Sequence, residues 1–169
     1  MSADLKIPYL KSLQGYLWQS GYSSGALTCP LFPDVFPALS AWYASGIPLI
    51  IYSSGSIPAQ KLLFKYTNTP GKADLNPLLS GYFDTVNAGL KTERGSYERI
   101  AGTRKEEVGK WLFLSDNARE VRAAREAGMQ SVVVVREGNP PLSGEDREGQ
   151  VCVKSSKLYN WEGSLTHNR

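Results

Sequence analysis

The run 47–56, Ile-Pro-Leu-Ile-Ile-Tyr-Ser-Ser-Gly-Ser, constrains the fold of this chain more than any other segment. An apolar strand passes into a turn of hydroxyls and glycine and then directly into a helix predicted over 57–66. The unbroken apolar character of 48–52 predicts a strand buried on both faces, as in a parallel sheet. A helix start leaves about four backbone N–H groups without partners and carries the positive end of the helix dipole, so the turn suits a phosphate. Gly55 would allow close backbone approach, and the hydroxyls of Ser53, Ser54 and Ser56 would meet phosphate oxygens. An ordinary turn reads the same residues equally well: Ser56 then caps the helix, Pro58 sits in its first turn, and Ser53 and Ser54 line a loop.

Around this segment the pattern alternates. Leu10, Leu13, Leu17 and Trp18 predict a helix within 9–22, and a second opens at Pro33, with Asp34 stabilising its start, and ends at Gly46. Pro70, Gly71 and Pro77 make 67–80 a loop with at most one helical turn. A short strand is predicted over 82–86, with Asp84 fixing a turn, followed by a helix over 94–102 and a strand over 111–114. A helix over 118–127, stopped by Gly128, and a strand over 131–135 with four consecutive valines complete the series. A Gly- and Pro-rich loop covers 138–149, and 150–156 supplies a last short strand before a polar tail. This order gives α/β layering with a largely parallel sheet.

Composition narrows the function. Nineteen Lys and Arg against sixteen Asp and Glu leave a net charge of +3, scattered without a basic stripe, which argues against a nucleic-acid partner. Cys29 and Cys152 stand far apart with no neighbouring His or Cys, so neither a zinc site nor a disulfide framework is indicated, and a reducing compartment fits. No signal-peptide pattern or membrane span is expected. The sole histidine, His167, lies in the polar tail, which argues against imidazole chemistry. Chemistry would fall to carboxylates, lysine and hydroxyls.

Parallel strands open their carboxyl ends on one edge, where ligands bind, so Ser53 and Ser54 become candidate neighbours of Asp116. Asp116, in the turn after the 111–114 strand, is placed to ligate a hard cation such as magnesium. The alternative is a capping box of Asn117 with Glu120. Lys91, on a flexible Gly-containing approach to a helix, could reach a phosphate as a point charge, or be one more exposed lysine. The Trp and Tyr residues suit core positions, with Trp18 and Tyr22 able to border a pocket.

Several motifs occur in order over roughly 10–142: Gln14-Gly15-Tyr16-Leu17-Trp18, Tyr52-Ser53-Ser54-Gly55-Ser56 and Ala59-Gln60-Lys61-Leu62-Leu63-Phe64. They continue with Gly81-Tyr82-Phe83-Asp84-Thr85, Lys91, Phe113-Leu114-Ser115-Asp116 and Val135-Arg136-Glu137-Gly138-Asn139. Together they resemble the enolase-phosphatase E1, or acireductone synthase, family of the haloacid-dehalogenase-like superfamily. The resemblance implies a Rossmannoid parallel sheet and a Mg²⁺-dependent enzyme of methionine salvage. Its substrate would be a small phosphorylated diketone, 2,3-diketo-5-methylthiopentyl 1-phosphate, which is enolised and then dephosphorylated to the acireductone. It further implies that Ser53, Ser54 and Lys91 bind the substrate phosphate and that Asp116 is a metal ligand.

The family pattern also calls for an Asp-x-Asp or Asp-x-Glu pair after a first core strand lying between the serine and Asp116 strands. This sequence shows no such strand, so no catalytic nucleophile is assigned. The expectation is an N-terminally shortened member, lacking that strand and most of the helical cap and inactive on its own. Residues 1–25 would be a cap remnant, 26–149 the phosphatase-like core, and 150–169 a terminal strand and tail. An unfilled slot would leave backbone groups unpaired unless the flanking strands close up. The protein is expected in the cytoplasm, also in the nucleus, away from membranes, as a monomer if complete and associating through strand edges if shortened. A non-catalytic binding module or a partner-binding fragment is the competing expectation.

Overall fold

The computed structural model describes residues 8–147 and 151–154. Its elements run α1 (Pro8–Ser23), α2 (Val35–Ala44), β1 (Ile50–Tyr52), α3 (Ile57–Lys65), β2 (Gly81–Phe83), α4 (Arg94–Ala101), β3 (Leu112–Ser115), α5 (Ala118–Glu126), β4 (Gln130–Val134), α6 (Gly144–Arg147) and β5 (Cys152–Val153). The order matches the α/β reading. The 67–80 loop holds one 3₁₀ turn, Asn76–Leu78, whereas the 138–149 loop contains the single-turn helix α6, which its glycines and prolines did not suggest. The tail beyond 154 lies outside the described residues.

Every strand pairing is parallel, but the strands form two sheets. β1 pairs with β2, setting Ile50 against Gly81 and Tyr52 against Phe83. β4 lies between β3 and β5. Among the described residues no ladder joins β1 to β3, so these flanking strands have not closed up. This corrects the expectation of a doubly buried strand at 48–52: Ile50, Ile51 and Tyr52 are all only half-buried. With β2 as its one paired neighbour among the described residues, β1 leaves a long edge uncovered.

Side chains bridge what the backbone does not. The Tyr97 ring, on α4 and 1% exposed, meets the Tyr52 ring of β1 edge-on at 5.6 Å and the Phe113 ring of β3 at 4.9 Å. Ala101, Ala123, Ala124 and Met129 surround it in one apolar cluster. A second cluster packs Leu49, Leu75 and Leu78 against Phe36, Leu39 and Trp42, burying the inner face of α2. α1 docks through Tyr22, which stacks on Tyr66 at 5.7 Å.

Candidate functional site

The turn after β1 is fixed from within. The Ser53 N–H donates to Phe83 O at 3.1 Å, which ties the turn to β2, and the Ser53 hydroxyl accepts from the Gly55 N–H at 3.1 Å. Ser56 occupies the cap position of α3, yet its side chain makes no capping bond. Asp84 does so instead: Oδ2 accepts from the Ile57 N–H at 3.2 Å, while Oδ1 accepts from Val86 and Asn87 N–H groups. The carboxylate thus both fixes its own turn, as the sequence suggests, and occupies a donor of the helix start that the sequence offers to a phosphate. Burial of Asp84 would raise its pKa, but the three backbone N–H bonds outweigh burial and hold it below the usual carboxylate range. Gln60, also buried, donates to Gly55 O at 2.7 Å and Phe83 O at 2.9 Å. What the turn presents outward is the exposed Ser54, beside the half-buried Ser53.

Lys91 stands on a segment that is clamped, not loose. Four consecutive carbonyls each accept a side-chain donor: Ala88 O from Arg99, Gly89 O from the Tyr52 hydroxyl at 2.8 Å, Leu90 O from the Ser96 hydroxyl at 2.8 Å, and Lys91 O from the Tyr97 hydroxyl at 2.6 Å. Three of these donors come from α4. Gly89 is required here, because at its φ of +108° a Cβ would lie 2.6 Å from Ser96 Oγ. The Tyr97 phenol is driven to higher pKa first by burial and then by the Glu120 charge, and so remains the neutral donor that this bond needs.

The Lys91 ammonium lies 5.8 Å from the Tyr52 ring centre and 2.6 Å from Glu120 Oε2. That same carboxylate oxygen accepts from the Ser115 hydroxyl at 2.7 Å. Lys91 therefore connects the residue before Ser53 with the residue before Asp116, and the ends of β1 and β3 meet through it. Glu120 does not complete a capping box; Asn117 caps α5 alone, accepting from the Arg119 N–H at 3.0 Å. The Lys91 ammonium is a stronger partner for the carboxylate than a backbone amide.

Asp116 is exposed at the end of β3, and its Oδ2 accepts from Asn139 Nδ2 at 2.9 Å. Asn139 is set by a turn in which Arg136 N–H donates to its Oδ1 and its own N–H returns to Arg136 O. Arg136 in turn pairs with Asp34 at 2.8 Å and lies over the Phe32 ring. Asp34 sits at the N-cap position of α2, where the sequence places it, without a side-chain capping bond, and its carboxylate pairs with the Arg136 guanidinium. Among the described residues no three His, Cys, Asp or Glu side chains gather as a metal cage. The donor chemistry of Asp116 nevertheless fits magnesium, which is commonly held by one or two carboxylates with phosphate oxygens and water.

Sequence reasoning missed Glu120 and Asn139 as members of the site. Glu120 stands four residues after Asp116, one helical turn away, and that spacing was its only local signal. A groove of about 1110 Å³ opens beside Ser54 and Gly55, running between α1 and α3 past Trp18, Lys61 and Lys65, so Trp18 does border a cavity.

No family profile matches the chain. Among curated proteins it is 60% identical over 175 residues to "Enolase-phosphatase E1" of Botryotinia fuckeliana, covering 95% of this chain and 68% of that protein. The protein of the same name from Sclerotinia sclerotiorum is 56% identical over 168 residues, with 92% and 65% covered. The chain spans about two thirds of the length of these relatives. Among solved structures, the UTR4 protein of Saccharomyces cerevisiae superposes with a TM-score of 0.80 at 38% identity, over 92% of this chain and 68% of that one. CbbY from Rhodobacter sphaeroides, solved with phosphate, superposes with a TM-score of 0.69 at 17% identity over 94% and 68%, a likeness of fold. An L-2-haloacid dehalogenase, RSc1362, gives 0.60 at 21% over 77% and 55%, which places the architecture among haloacid-dehalogenase-like folds.

Proposed function

The chain belongs to the enolase-phosphatase E1 family, and from that premise we propose that its site binds the phosphate of a small phosphorylated diketone, 2,3-diketo-5-methylthiopentyl 1-phosphate, in methionine salvage. In this reading the Ser53 and Ser54 hydroxyls orient phosphate oxygens and the Lys91 ammonium neutralises their charge. The observation that carries it is the station of Lys91, above Tyr52 and joined through Glu120 to Ser115. This puts one positive charge between the two turns that bear Ser53 and Asp116. Asp116 would hold magnesium, which when bound polarises a phosphoryl oxygen as a Lewis acid. In the full reaction the diketone is enolised and phosphate then leaves to give the acireductone.

Among the described residues no strand ends in an Asp-x-Asp or Asp-x-Glu pair. We infer that the described residues bind the phosphate group without transferring it. The test is calorimetric titration with inorganic phosphate alongside an assay of phosphate release from the diketone in magnesium. Binding that weakens at least tenfold in Lys91→Ala, with no release, is expected. Equal affinity in parent and variant would remove the site, and sustained release by these residues would refute the binding-only role.

A second reading has its own observation, the division of the parallel strands into two sheets. Among the described residues β1 and β3 each have one backbone neighbour, so an extended segment could add to either edge. Sedimentation would then show concentration-dependent association that Pro substitution at Ile51 reduces; a monomer at all concentrations would exclude self-association.

A further inference from the structure

Asp116 is steadied by a loop that the proposed chemistry leaves unused. After β4 the chain turns through Arg136 to Asn139: the Asn139 N–H donates to Arg136 O at 3.1 Å, and the Arg136 N–H donates to Asn139 Oδ1 at 2.7 Å. Gly138 takes a φ of +88° at the third position of this turn, and no atom lies within 4 Å of where a Cβ would stand, so backbone conformation alone calls for glycine. A backbone N–H can only donate, which fixes Oδ1 toward Arg136 and leaves Nδ2 to donate to Asp116 Oδ2, at 2.9 Å.

Arg136 anchors the turn at its other end. Its Nη2 donates to Asp34 Oδ2 at 2.8 Å, its Nη1 to Lys154 O just past β5 at 3.3 Å, and its guanidinium lies 4.9 Å from the centre of the Phe32 ring. Side-chain exposures of 14% for Arg136 and 16% for Asp34 shield this ion pair from the screening that weakens surface pairs. Asp34 and Phe32 both precede α2, on the stretch that joins it to α1, and Asp34 stands 102 residues before its partner.

We propose that Asn139 is a positioning residue for the metal ligand Asp116, and that the connector between α1 and α2 holds it in place through Asp34 and Arg136. A carboxylate on an exposed turn rotates freely. A bond from Nδ2 to one oxygen limits that rotation and leaves the lone pairs of the other oxygen for a hard cation. Hydrogen-bonded partners of ligating carboxylates raise metal affinity in this way. The alternative role is opposite in sign: an amide that merely competes for the carboxylate weakens its hold on a cation, and removing it tightens binding.

This inference rests on the reading of Asp116 as a magnesium ligand, and the experiment separates the two. Magnesium alone is titrated into the ¹⁵N-labelled chain while the Asp116 amide is followed. The proteins compared are the parent, Asn139→Ala, Asp34→Ala, Asp34→Asn and the Asp34→Ala, Asn139→Ala pair, after thermal unfolding confirms that each folds. Affinity should fall about tenfold in Asn139→Ala and about threefold in Asp34→Ala. It should stay within about twofold of the parent in Asp34→Asn, which keeps an acceptor oxygen for the guanidinium, and Asp34→Ala should add no loss to Asn139→Ala. Tighter binding in Asn139→Ala overturns the proposal, as does unchanged affinity in Asp34→Ala or an undiminished effect of Asp34→Ala without Asn139.

A second readout needs no metal. The side-chain amide signals of Asn139 should shift both in Asp116→Ala and in Asp34→Ala, while the backbone amides of the buried Val132 and Val133 stay in place. Asn139 signals indifferent to Asp116→Ala overturn the contact on which the proposal stands. Should the parent Asp116 amide ignore magnesium while Asn139 still responds to Asp116→Ala, the metal reading fails, and the positioning role that depends on it fails with it.

Discussion

β4 and β1 are both short, apolar and parallel, and they end in different states. β4 has a neighbour on each side and α5 across it, and hides Ser131, Val132 and Val133 completely. Among the described residues β1, Ile-Ile-Tyr, has β2 alone beside it and hides no residue completely. The difference lies in the number of strand neighbours, not in hydrophobicity. Its consequence is functional, because the two sheets are tied by the side chains of Tyr97, Lys91 and Glu120, and those are the groups around the proposed phosphate site.

The comparison breaks most severely at Tyr97. Tyr97→Ala removes a fully buried ring between the sheets and is expected to cost about 3–5 kcal/mol in urea unfolding, while Tyr97→Phe keeps the ring and loses about 1 kcal/mol with the bond to Lys91 O. Equal effects of the two changes would mean that the hydroxyl, not the ring, joins the halves. Next in size is Asp84→Asn, expected to lower stability at pH 7 by about 1–3 kcal/mol through the start of α3. The Asp84 pKa is depressed in the folded state, so its contribution is complete above the unfolded carboxyl value near 4 and is lost as pH falls through the folded value. Parent and variant should therefore converge in acid; a gap that persists at low pH would deny the carboxylate its role.

Smaller effects sharpen the contrast between the sheets. Val132→Ala, at 1% exposure, should cost about 1.5–2 kcal/mol from the methyl groups removed. Ile51→Ala on half-buried β1 should cost no more than that despite the larger deletion, and a reversed order measured by denaturant midpoint would contradict the neighbour argument. Arg94→Ala, which breaks an exposed pair with Glu98 one turn along α4, should shift stability by about 0.3 kcal/mol and vanish in high salt.

Much of this was legible in the sequence because it is local. The order of elements followed from periodicity and from punctuation such as Gly46, Pro58 and Gly128, with boundaries displaced by up to three residues. The serine turn, Lys91 and Asp116 were recoverable as positions. Their partners were not, since those are set by tertiary contact. Asp84 caps a helix 27 residues earlier in the chain, Glu120 abandons its own helix start for a lysine 29 residues away, and Asp34 crosses to Arg136. Nor does an apolar triplet such as Ile50–Tyr52 specify how many strands will lie beside it. The clamp on four successive carbonyls left only Gly89 as a trace, because side-chain donors to backbone oxygens have no fixed spacing.

The central claim is that the ends of two separate sheets form one phosphate site. Its most direct test is a titration of the ¹⁵N-labelled chain with inorganic phosphate, following backbone amides of Ser53, Ser54, Lys91 and Asp116 together. The account predicts that all four move along one saturation curve with a shared dissociation constant. Movement confined to the β1 turn, with Lys91 and Asp116 stationary, would contradict it.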